Sequence, residues 1–155
     1  MNHADKKQMN PYVKFTLMIL TSTVVMYIMM YFNTYEWSHI YFSETRAYMA
    51  LYMGAAMAVI MLAFMSNMYK KTKINLMIYG LSVLLFAVGI WGVRSQATVN
   101  QVSWMKAMIP HHSIAILTSS RADIEDPRVR ELADGIIETQ KREIKKMKAL
   151  IEELE

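Results

Sequence analysis

Three stretches of this chain are nearly unbroken runs of apolar residues, each about as long as the 20 or so residues a helix needs to cross a bilayer core. They run approximately over residues 13–32, 47–68 and 74–93, from Val13 to Phe32, Ala47 to Met68 and Ile74 to Val93. In hydrocarbon each backbone N–H and C=O must be satisfied inside the segment, which leaves α-helix as the geometry for each span. No Asp, Glu or Arg lies within them, and Lys14 sits near an end where its stem can carry the ammonium to the interface. The first run is too long for the apolar region of a signal peptide and lacks a small-residue cleavage site, so a cleaved leader is not expected.

After Arg94 the solvent changes. Charged residues crowd the rest of the 155-residue chain, although 54% of the whole is hydrophobic. Two regions follow, a three-span membrane region at 1–94 and a soluble helical one at 95–155. Lys6, Lys7 and Lys14 precede the first span, and Lys70, Lys71 and Lys73 fill the second connection, whereas Asn33 to Arg46 carries one Arg among acids and aromatics. The positive-inside rule then puts the N-terminus and the lysine loop in the cytoplasm and residues 95–155 outside it, as expected for a bacterial inner-membrane protein with a periplasmic domain. The net charge of +4 is modest and partly spent on this orientation, so nucleic acid is not an expected partner; the lipid bilayer is.

Residues 95–155 read as an αα-hairpin. A first helix spans about 99–120, and a second opens at Asp126-Pro127, an N-cap acid followed by proline at the first helical position. On the second, Ile136, Gln140, Glu143, Met147, Leu150 and Leu154 alternate steps of four and three, the seam of a bundle with two polar members. Two such helices alone bury little surface, so a homodimer completing four helices is expected.

The chemistry sits in Met105-Lys106-Ala107-Met108-Ile109-Pro110-His111-His112. The chain has no cysteine, which removes disulfides, thiolate zinc sites and thiol catalysis, and leaves thioether and imidazole as the donors for a soft ion. Helical turn of about 100° per residue puts Met105, Met108 and His112 on one stripe, with His111 about 60° off Met108 unless Pro110 swings it closer. An antiparallel hairpin would set this segment beside Gln140 to Met147. Methionine is abundant throughout, at 16 residues. Met49, Met53, Met57, Met61 and Met65 form a four-residue ridge in the second span, readable as helix packing or as a thioether track for a soft monovalent cation.

The pair of motifs, Met-x-x-Met-Ile-Pro-His-His at 105–112 and Gln140-x-x-Glu143-Ile-x-x-Met147, resembles the bacterial family called domain of unknown function 305. That resemblance covers about the last third of the chain. It implies a ferritin-like four-helix bundle and, by analogy with extracytoplasmic members, copper or silver bound by Met and His. Met105, Met108, His111 and His112 are the ligand candidates it carries over, with Glu143 and Met147 facing them.

The leading expectation is therefore a membrane-anchored protein that sequesters or relays Cu(I) or Ag(I) by ligand exchange, with an unidentified trafficking partner and with acid weakening it as imidazoles take protons. A structural or partner-binding protein, with the His pair as a polar layer fixing register, is the alternative. A zinc or iron site shared across a dimer is a third. A di-metal oxidase is disfavoured because the chain has no Glu-x-x-His, and neither a nucleophilic triad nor a phosphate-binding glycine loop is present, so no enzyme activity is expected. His39, alone in the outer loop, reads as an interfacial residue.

Overall fold

The computed structural model describes residues 9–155, and among them the regular structure is helical throughout: α1 Pro11–Met29, α2 Glu44–Phe64, α3 Thr72–Ser95, α4 Gln101–Arg121 and α5 Pro127–Leu154, with one 3-10 turn at Trp37–His39. Lys6 and Lys7, used above to orient the chain, lie outside the described residues. Four of these five α-helices begin where a side chain caps them, α3 being the exception. Ser43 accepts from the Arg46 amide to start α2, Asn100 from the Ser103 amide to start α4, and Asp126 from the Arg128 amide to start α5. The Arg128 guanidinium also grips Asp126 and holds its carboxyl below the ordinary aspartate value, so this cap stays charged.

Helices α1, α2 and α3 are each long and apolar enough to cross a membrane. Their outer surfaces carry large exposed side chains, including Leu17, Leu20 and Val24 on α1 and Leu76, Leu81 and Leu84 on α3. Such a surface suits lipid and would be a liability in water. Helix α2 is the middle of the three, packing on both α1 and α3. Its buried stripe is Ala50, Gly54, Ala58 and Leu62 at four-residue spacing, and the first three are small residues that let backbones approach where apolar burial gives no drive. The methionine ridge lies one residue to the side of this stripe, and all five of its members are half-buried.

Backbones also approach closely where α3 meets α2. A Cβ at Gly89 would lie 2.9 Å from Tyr52 Cβ and 3.0 Å from the Tyr48 carbonyl. At the lysine-bearing end, Phe15, Ala58, Leu62 and Tyr69 form a core, and the Tyr12 hydroxyl accepts from the Lys71 amide and donates to Asn75. Lys14 and the lysine loop thus share one end.

At the opposite end α3 closes on Gln96, which has φ 53° and donates its amide to the Gly92 carbonyl. From there the chain enters the α4–α5 hairpin, which stands on the end of α2. Glu44 ties the root of this hairpin down, accepting from Thr98 at 3.1 Å and Ser103 at 2.9 Å. The hairpin core is Met105, Ile109, Ile116, Ile144, Met147 and Ile151.

The buried register of α5 therefore differs from the expected seam. Ala133, Ile144, Met147 and Ile151 are buried, while Glu143 and Leu154, placed in the seam by the sequence, are about half exposed. Both sets fit steps of three and four; α5 carries an apolar face wide enough for either, and the isoleucines take the interior because they have no polar end to solvate. The premise for a dimer also changes. Residues 35–41 fold over α4, with Tyr41 packed on the hairpin core, so a single chain supplies the third layer.

Candidate metal centre

Helix α4 continues unbroken through Pro110, so the two histidines keep the angular separation of neighbouring helical residues. Their ring centroids stand 6.2 Å apart at an interplanar angle of 67°. They face different places. His112 turns inward between α4 and α5; His111 is exposed on the flank of α4 that looks toward the membrane helices. Pro110 does not swing it into the seam.

His112 is held at both nitrogens. Nδ1 lies 2.9 Å from the Met108 carbonyl, one turn back, and Nε2 lies 2.9 Å from Glu143 Oε2 on α5. A carbonyl only accepts, so Nδ1 carries the proton and donates it. In the neutral ring, Nε2 then presents a lone pair to a carboxylate that also only accepts. A proton between Nε2 and Oε2 joins them at this distance as a hydrogen bond. The Nδ1–H bond to a backbone carbonyl is the outer-shell contact that metal-ligating histidines also make, and Nε2 is directed at the Glu143 carboxylate.

Three methionines share this helix pair. Met105 and Met147 are buried in the hairpin core, and Met108 packs against it. The sequence-derived set thus separates. His112, Glu143, Met105, Met108 and Met147 lie at the α4–α5 interface, and His111 lies outside it. Among the described residues no three His, Asp or Glu side chains converge as a metal site, so these residues of one chain do not by themselves assemble a zinc or iron centre.

The sequence reading missed the role of the outer loop. His39 is not exposed at an interface but buried, at 7% exposure, against α4. Its Nδ1 lies 2.9 Å from the hydroxyl of Ser113, which is wholly buried and accepts from the Tyr35 amide at 2.7 Å. The available signal was Ser113 itself, one turn from Ile109 and Ile116 on the apolar face, where a hydroxyl needs a partner. Replacing it with alanine should leave the Tyr35 amide and one imidazole nitrogen without a partner. We expect Ser113→Ala to destabilise loop docking by about 1–3 kcal/mol, seen as faster hydrogen exchange at the Tyr35 amide with α1–α3 unaffected.

Burial lowers the His39 pKa from its ordinary 6.5, and the Lys148 ammonium lowers it further, against an opposing pull from Glu36. Lys141 and Lys145 line the same cavity. The folded state therefore binds fewer protons at this ring than the unfolded chain does. The stability this contributes is complete above pH 6.5 and is lost as pH falls through it toward the lower folded value. Thermal melts between about pH 7.5 and about pH 5 should show this loss, and His39→Gln should flatten it.

The family described as "Domain of unknown function (DUF305)" matches residues 94–154. The protein named "Uncharacterized protein L153", from Acanthamoeba polyphaga mimivirus, is 32% identical over 108 residues, covering 68% of this chain and 69% of that protein. A match of that length does not fit within residues 94–155, so the likeness runs into the apolar region as well. No solved structure matches the chain. With the hairpin matched across both motif-bearing helices, the chain belongs to the DUF305 family.

Proposed function

We propose that this protein is a membrane-anchored binder of a soft monovalent cation, Cu(I) or Ag(I), that holds the ion between α4 and α5 outside the lipid. The single observation that carries the reading is His112: its Nδ1–H is anchored on the Met108 carbonyl, and its Nε2 is directed at Glu143 across the interface. His112 would be the nitrogen ligand, Glu143 the neutralising carboxylate, and Met105 and Met147 the sulfur donors. Thioether and imidazole together suit Cu(I) and Ag(I) better than Zn(II) or Fe(II), and neither requires loss of a thiol proton at binding. The lysine-rich end of the helices supports a cytoplasmic orientation for that end, with the hairpin on the other face of the membrane. The ion would be stored or passed on by ligand exchange.

Competition titration of the full-length protein in nanodiscs with a Cu(I) chelator tests this. His112→Ala should weaken Cu(I) binding by about tenfold or more, and Glu143→Gln by a smaller factor, since second-shell partners of metal ligands typically contribute about 10–100-fold. Unchanged affinity in His112→Ala would remove the ion from this interface. The pair would then serve as a polar layer that fixes the register of α4 on α5, a reading the same hydrogen bond favours. Zinc or iron in the protein as isolated, together with a dimer by sedimentation, would instead favour a site shared between two copies.

A further inference from the structure

The outward histidine has its own surroundings. His111 and Met108 line one side of a cavity of about 500 Å³ between α4 and the ends of the membrane helices. Met30, at the C-terminal end of α1, and Met49, on the first turns of α2, line the other side. Three thioethers and an imidazole from three separate helices thus border one space.

Several of the other polar groups of this cavity are engaged within the chain. Ser43 accepts from the Arg46 amide, and Thr45 donates to the Gln96 side chain at 3.1 Å. Gln96 in turn donates to the Val93 carbonyl at 2.8 Å. The Arg46 guanidinium donates to the Met30 carbonyl and lies 4.4 Å over the Tyr31 ring. Its charge is therefore directed at the carbonyl end of α1, where a helix terminus is partially negative, and not into open space. Asn33 and the Trp104 indole also border the cavity, and its soft donors are the three thioethers, with the His111 imidazole beside them.

We propose that this junction cavity is a second soft-metal site, formed by Met30, Met49, Met108 and His111, that takes Cu(I) or Ag(I) where the hairpin meets the membrane helices. This rests on the soft-cation reading of the hairpin and extends it across the junction. Met49 is also the first member of the α2 methionine ridge, so the site stands at the outer end of that row of thioethers. Met108 belongs to both sites: its side chain lines the cavity, and its carbonyl orients His112 toward Glu143. Two adjacent histidines serve two places because neighbouring positions on a helix point about 100° apart.

Silver titration of the full-length protein in nanodiscs separates the two sites, with bound Ag(I) counted per chain and sulfur ligation read by X-ray absorption. The wild type should bind two Ag(I). Met30→Leu with Met49→Leu, near-isosteric changes that keep the packing, should lose one Ag(I) and lower the sulfur count, as should His111→Gln; His112→Ala should lose the other. Met57→Leu, lower on the same ridge, should lose none. Loss of one ion in the Met30/Met49 variant alone would sustain the junction site and overturn the hairpin site. Loss in His112→Ala alone would do the reverse, and two ions retained in both would overturn both. A Met57→Leu effect equal to that of Met30/Met49 would also overturn the junction proposal, because it would show a response to methionine number and not to place.

Discussion

Ile109→Ala should unfold the hairpin's interior at a cost of about 2–5 kcal/mol, the range for removing a large aliphatic side chain from a closed core. Ile109 is completely buried, and it sits between Met105 and Ile116 on α4 against Ile144, Met147 and Ile151 of α5. Hydrogen exchange along α4 and α5 should accelerate by orders of magnitude while amides of α1–α3 hold, because the membrane helices draw on separate cores. Val129→Ala, on an exposed face of α5, should change stability by no more than about 0.5 kcal/mol. Equal effects of the two substitutions would mean that the hairpin has no closed core.

Gly89→Ala should separate α3 from α2. The new methyl meets Tyr52 Cβ and the backbone of α2, none of which can swing aside, so the helices must move apart. Overpacking of this kind costs about 1–3 kcal/mol, and it sets aside the gain of about 1 kcal/mol that alanine brings to a helix interior. Gly80, on the same helix, supplies the control. A Cβ there meets nothing within 4 Å, so Gly80→Ala should be neutral or stabilising. Unfolding in mixed micelles should therefore move in opposite directions for two chemically identical substitutions, and a shared direction would contradict the close approach of α2 and α3. Gly89 also lies in the part of α3 that leads to the Gln96 turn, so the displacement should reach the junction cavity.

Much of the scaffold is legible without coordinates, and for a physical reason. Span length follows from bilayer thickness, helix starts from side chains that cap free amides, and the hairpin from amphipathic periodicity on either side of a polar link. Asp126-Pro127 announces α5, and α5 begins there. The spacing of Met108, His112, Glu143 and Met147 likewise indicates which residues an antiparallel hairpin can bring into register. These are local or one-dimensional quantities, fixed by neighbours a turn or two away.

What periodicity alone left open was rotation and company. Helix α5 offers two stripes of nearly equal apolar character, and only packing against α4 decides that Ile144 and Ile151 go in while Glu143 stays at the margin to meet His112. The splitting of the His pair needs the same information, since a helix position tells which way a side chain points but not what stands there. His39 and Ser113 are 74 residues apart and each polar, and nothing in the sequence links them until the outer loop folds onto α4. The amino-acid order determined the five helices, their donors and their likeness to DUF305. Tertiary structure decided which donors meet, because that depends on non-local contacts whose energies local pattern does not encode.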